Sequence, residues 1–213
     1  MRSVEIGKHR WHIINALIKE INAQKYLEIG FGKGINFNKI HCDYKIVASP
    51  NNKFLCAPYL PEGANVFAGS SDDFFKENIK KFDVIFIDGL HTAHQVTKDI
   101  LNSLKFLNKD GYIICHDINP KKEIIQRPEP AGVGSWTGDC WKSWVRLREE
   151  REDLKMFAVD AESGCGIITR GSQATISTNK EYNDLCWEDL ESNRMKWLNL
   201  ISLEDFYNAL RRT

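Results

Sequence analysis

Residues 26–37 read YLEIGFGKGINF. An apolar run carries one acid, Glu28, and three glycines then follow at alternate positions: Gly30, Gly32 and Gly34. A short apolar run that stops at glycines reads as a buried strand leaving the sheet through a tight turn. Residues without a Cβ let another group approach the backbone closely, and they accept positive φ. In an open α/β sheet ligands sit at the carboxyl ends of the strands. The turn at 30–34 is therefore the first place to look for a binding site.

The pattern on either side supports such a sheet. Val4 to Ile21 carries Trp11, Ile14, Leu17, Ile18 and Ile21 at helical spacing. Strands are expected at 26–29, 45–48 and 65–68, with helices from 35 and over 72–80. FDVIFIDG, residues 82–89, is the clearest strand, because Val84 to Ile87 is apolar throughout, as in a parallel strand buried on both faces. A helix over 93–107 follows, then the strand GYIICHD at 111–117, a long Pro/Gly-rich connection over 119–138, and a helix over 141–150. Two late strands are expected at 156–159 and 166–169. A polar loop over 171–184 and two amphipathic helices close the chain. The last helix starts at Ser202, with Asp205 three residues on. Strands alternating with helices predict an α/β fold with a doubly wound, mostly parallel, seven-stranded sheet and helices on both faces.

Composition bounds the function. The chain has 213 residues, 42% hydrophobic and 27% charged, which suits one globular domain. We expect that domain over residues 1–170, with 171–213 packed on it. Lys+Arg and Asp+Glu both number 29, and this balance argues against a nucleic-acid partner. No stretch has the length of a membrane span, and the N-terminus lacks a signal-peptide core. Six cysteines without a C-x-x-C pair read as reduced thiols in a cytoplasmic protein. Homo-oligomerisation stays open.

The glycines follow G-x-G-x-G, not the dinucleotide G-x-G-x-x-G, which disfavours a nicotinamide enzyme. Glu-x-Gly-x-Gly-x-Gly resembles the first motif of class I S-adenosyl-L-methionine (SAM) methyltransferases. KFDVIFIDGLHTAHQVTKDILNSLKFLNKDGYIICHD, residues 81–117, resembles the central segment of the methyltransferase domain 24 group. Asp88, Gly89, His91, Asp99, Leu107, Gly111, His116 and Asp117 fit that pattern, and Lys109-Asp110-Gly111 replaces the usual Pro-Gly-Gly. The resemblance spans about residues 26–170 and implies a Rossmann-like methyltransferase fold with SAM as cofactor. It implies cofactor contacts at Glu28, Gly30, Phe31, Gly32, Gly34, Asp72 and Asp88. It also implies an acid after the second strand for the ribose hydroxyls. That position is Ser49, which makes one weaker bond where a carboxylate accepts two charge-assisted ones. Weaker cofactor binding is the favoured consequence, because the glycine loop is intact; loss of binding is the alternative. Asn51 or Asn52 could compensate.

In the expected order the strands ending at Asp88 and Asp117 are neighbours, about 4.8 Å apart. Asp88, His91, His116 and Asp117 then converge. Transfer of a methyl group to a hydroxyl requires removal of a proton, and histidine titrates in the right range. His91 is the first choice for base and His116 the second, with Asp117 to orient either ring. The resemblance also implies a metal-assisted variant, as in some related sugar O-methyltransferases, with magnesium held by Asp88, His116 and Asp117, although magnesium prefers oxygen ligands. Trp136, in the long connection, is a candidate stacking surface, and that connection could act as a lid. Trp141, Trp144 and Val145 read as core. The resemblance thus implies O-methylation of a small hydroxylated acceptor such as a sugar, glycoconjugate or natural product. The alternative is a degenerate methyltransferase fold serving as a non-catalytic binding module.

Overall fold

The computed structural model describes residues 7–50, 54–56, 58–127, 129–130, 132 and 135–211. In chain order the elements are α1 (Arg10–Glu20), β1 (Lys25–Ile29), α2 (Ile35–Lys39), β2 (Tyr44–Ser49), β3 (Asn65–Ala68), α3 (Ser71–Glu77), β4 (Phe82–Ile87), α4 (Ala93–Phe106), β5 (Leu107–His116), α5 (Cys140–Glu150), β6 (Leu154–Val159), β7 (Cys165–Arg170), α6 (Trp187–Leu198), β8 (Leu200–Ile201) and α7 (Leu203–Leu210). Short 3-10 turns lie at Glu123–Gln126 and Tyr182–Asp184. The fold is α/β, with a large sheet flanked by helices. Eight strands are present among the described residues where seven were expected; the eighth, β8, has two residues, too few for any periodicity to show.

Two compact units divide the chain. One takes Met1–Leu90 and Lys98–Ile114, the other His91–Thr97 and Cys115–Thr213. In the first unit the hydrogen-bonded order is β3-β2-β1-β4-β5. β1 pairs parallel with both β2 and β4, and β2 pairs parallel with β3. The order runs outward from β1 in two directions: β2 and β3 lie to one side, β4 and β5 to the other. Reversal of the winding between β1 and β4 leaves a crevice at their carboxyl ends, since the connections that follow them depart on opposite sides. Both strands end there in register, Ile29 opposite Ile87.

The apolar runs bury as their composition requires. Val84, Ile85 and Phe86 are fully buried, and so are Tyr26 and Leu27. Each such side chain contributes about 1.5–3 kcal/mol of transfer free energy. α1 packs against β4 through its buried face of Ile13, Ile14, Leu17 and Ile18. This helix begins later than the sequence pattern suggests: residues 7–9 are outside it and His9 is its N-cap, while residues 4–6 fall outside the described set. β5 begins earlier than expected, at Leu107, where Asn108 Nδ2 donates to Asp83 Oδ1 at 2.6 Å and ties this edge to β4.

In the second unit β7, β6 and β8 are hydrogen-bonded in that order. β6 is antiparallel to β7 and parallel to β8. Trp141, Trp144 and Val145 of α5 are fully buried, so they are core as the helical spacing suggested. Ser202 caps α7 by accepting from Asp205 N, 3.0 Å away. No helix among the described residues is long and apolar enough to cross a membrane.

Candidate active site

The first unit gathers its polar groups at the β1–β4 crevice. Ile29 O accepts from Asp88 N at 2.9 Å, and Gly30 N donates to Ala48 O at 2.8 Å, so the three strand ends are tied together just where the glycine turn begins. The glycines divide their labour. A Cβ on Gly30 would stand 2.1 Å from Asp88 O, and one on Gly34 would stand 2.5 Å from the Phe31 ring and 2.8 Å from Tyr59 O. Those two residues are small because protein atoms approach them. Gly32 differs: its φ is +52° and a Cβ there would meet no atom of the described residues within 4 Å. Of the three, Gly32 is the position with room for a ligand. The Phe31 ring is turned inward, packed edge-on against Phe37 with centroids 6.1 Å apart.

Glu28 is 1% exposed on β1. Its Oε2 accepts from Tyr26 Oη at 2.6 Å and from Asn36 Nδ2 at 2.8 Å. Burial pushes its carboxyl up from 4.5 to about 7, the two hydrogen bonds and the Arg10 charge opposing, the Asp88 charge adding. The Tyr26 hydroxyl is pushed up as well, by burial and then by Glu28, so it stays a donor. Arg10 was not anticipated. It stands in the first turn of α1, with Nε 3.9 Å from Asp88 Oδ2.

Ser49 ends β2 and is 4% exposed, its hydroxyl 3.5 Å from Pro50 O, a long contact. Asn51 and Asn52 lie outside the described residues. Asp72 occupies the first turn of α3, capped by Ser70, and its carboxylate is paired with Lys98.

The second unit holds both candidate histidines, His91 and His116. His91 Nδ1 lies 2.9 Å from Trp136 O and 3.2 Å from Asp117 Oδ2. The imidazole also stacks on the Trp136 indole, centroids 5.1 Å apart and planes at 26°. Trp136 is itself held, its Nε1 donating to Arg127 O at 2.7 Å. The other carboxylate oxygen of Asp117, Oδ1, stands 3.1 Å from His116 Nδ1, a close approach without the alignment of a hydrogen bond. His116 Nε2 reaches Glu162 Oε2 at 3.1 Å. Four titratable groups thus form a chain: His91, Asp117, His116 and Glu162. Asp117 has φ +61° and Glu162 φ +51°. Two non-glycine residues in the left-handed region signal a conformation held by its surroundings. Sequence reasoning missed Glu162, which sits in the β6–β7 turn; no motif marks it.

The long connection after β5 is anchored at several described points. Thr137 Oγ1 donates to Ile125 O at 2.9 Å, and Trp141 Nε1 donates to Gln126 Oε1 at 2.9 Å. Residues 128, 131, 133 and 134 of this connection lie outside the described set.

Comparison with known proteins agrees with this arrangement. Residues 15–118 match the family model described as a methyltransferase domain. A comparison with curated proteins finds no match. Among solved structures, the SAH-bound methyltransferase PaMTH1 of Podospora anserina superposes with a TM-score of 0.60 at 16% identity, covering 79% of this chain and 81% of that one. The O-methyltransferase of Bacillus cereus in complex with SAH gives 0.59 at 14% identity, covering 79% and 84%. TomG of Streptomyces achromogenes, an O-methyltransferase involved in tomaymycin synthesis and bound to SAM, gives 0.56 at 14% identity, covering 75% and 79%. The matched residues and the shared fold agree with the resemblance of the glycine motif to class I, Rossmann-type SAM-dependent methyltransferases.

Proposed function

We propose that the protein moves a methyl group from SAM to a hydroxyl oxygen of a small molecule, with His91 as the general base. The observation that carries this reading is the setting of the His91 ring. Its Nδ1 faces a carbonyl and a carboxylate oxygen, at 2.9 and 3.2 Å. Both are acceptors, so Nδ1 bears the proton and Nε2 the lone pair. SAM, held at the glycine turn beside Glu28 and Asp88, would supply an electrophilic methyl group whose leaving group is the neutral sulfide. His91 Nε2 accepts the hydroxyl proton, and Asp117 stabilises the imidazolium that results. Stacking on Trp136 fixes the ring plane. The glycine turn suits the cofactor, because Gly32 opens onto free space beside the crevice. Glu28 and Asp88 supply acceptors for its ammonium group. The likeness to solved O-methyltransferases supports oxygen as the acceptor atom. A sugar, glycoconjugate or related natural product is the acceptor class we assign.

Magnesium does not fit the ligand set well. Of the expected ligands, His116 and Asp117 lie in the second unit. Both nitrogens of His116 face carboxylates and both oxygens of Asp117 face imidazoles. A magnesium ion prefers oxygen ligands and near-octahedral geometry. The proton-transfer reading therefore uses no metal.

The test is methyl transfer from labelled SAM to a panel of hydroxylated sugars and natural products. His91→Ala lowers turnover by about 10²–10⁴-fold and leaves SAH affinity little changed. Full activity in folded His91→Ala refutes the assignment. A second reading, a binding module without catalysis, is favoured by Ser49, which offers a neutral hydroxyl where a ribose carboxylate is expected. Calorimetry with SAM, SAH and NADH separates the two. Binding of none of them supports the module.

A further inference from the structure

We propose that Arg10 is the carboxylate-binding residue of the cofactor site, gripping the methionyl carboxylate of SAM. The inference rests on the cofactor reading above and names a contact that the glycine motif does not supply. The methionine end of SAM is a zwitterion, one ammonium and one carboxylate. The crevice in the first unit offers two acids, Glu28 and Asp88, which suit the ammonium. A carboxylate placed between two acids needs a cation. Arg10 stands beside both: its Nε is 3.9 Å from Asp88 Oδ2, and its charge lowers the Glu28 carboxyl against the effect of burial. It reaches there because α1 packs against β4 and puts its first turn over the strand's carboxyl end.

Among the described residues, two other cations near the glycine turn also have neighbours of their own. Lys45 Nζ donates to Phe37 O at 2.8 Å and to Ile40 O at 3.1 Å, closing the end of α2. Lys33, within the turn itself, lies over the Phe54 ring, 5.9 Å from its centroid. The Arg10 side chain is 25% exposed, so its charge is partly withdrawn from water and acts more strongly on a neighbour. Arginine also presents a planar fork that matches a carboxylate with two parallel hydrogen bonds.

The experiment is calorimetric binding of two ligands that differ in this group: S-adenosylhomocysteine, which keeps the carboxylate, and decarboxylated SAM, which lacks it. Arg10→Gln weakens S-adenosylhomocysteine by about 10–100-fold and leaves decarboxylated SAM within about twofold. Arg10→Lys keeps the charge without the fork and falls between. Equal loss for both ligands would show that Arg10 only positions Asp88, and overturns the proposal. No loss for either also overturns it. If the wild type binds neither ligand, the cofactor reading itself fails, a result distinct from both. Should Arg10→Gln not fold, the ligand selectivity of Arg10→Lys decides alone: an unchanged ratio is refutation.

Discussion

Replacing Glu28 with Gln tests the electrostatics of the crevice without a ligand. The carboxyl is buried in β1 and bonded to Tyr26 and Asn36, and it ionises at about 7 rather than 4.5. The folded state therefore holds a proton that the unfolded chain releases near 4.5. Between those values the native state binds more protons than the unfolded state, so stability falls as pH rises. The penalty is absent below about 4.5 and complete above about 7. A carboxyl raised from 4.5 to about 7 corresponds to about 3 kcal/mol. Glutamine keeps an oxygen to accept from Tyr26 and Asn36 but cannot ionise. Urea denaturation followed by tryptophan fluorescence at pH 5, 6, 7 and 8 should show the wild type losing about 2.5 kcal/mol relative to Glu28→Gln across that window, mostly before pH 7. Other titrating groups are common to both proteins and cancel in the difference. Two unfolding curves that stay parallel from pH 5 to pH 8 would refute the account, since Glu28 would then ionise as in water. The same ionisation has a second signature. An ammonium-bearing cofactor favours the charged form, so SAH affinity should rise with pH across this window in the wild type and stay flat in Glu28→Gln.

Two further outcomes follow from the site. Gly32→Val should fold, at a cost of about 1–2 kcal/mol for a side chain in the left-handed region, because no atom of the described residues lies in its way; it should abolish SAM binding, and unchanged affinity by calorimetry would remove the cofactor from the glycine turn. Chelation by EDTA should leave methyl transfer unaltered, while His116→Gln, which breaks the chain between Asp117 and Glu162, should lower turnover without any response to added magnesium; restoration by magnesium would reinstate the metal reading.

Much of the fold was legible because its signals are local. The uninterrupted apolar run of β4 could only be a strand buried on both faces, and the capping pair Ser202 and Asp205 marked the start of α7 unaided. Glu28, the three glycines and His91 announced themselves by their place at strand ends. What each glycine is for was not legible. Gly30 and Gly34 are required by Asp88 O, Tyr59 O and the Phe31 ring, and chain spacing does not record which atoms approach a residue. Nor did spacing reveal Arg10, 18 positions before Glu28, or Glu162, 46 positions after His116. Periodicity and turn chemistry describe how neighbouring residues share one backbone, and so the sequence by itself determined the elements and their order along the chain. Which distant charges meet depends on helix docking and hairpin placement. Those are set by packing between elements that no local pattern encodes, so the partners of Glu28, Asp88, His91 and His116 were decided by the tertiary structure alone.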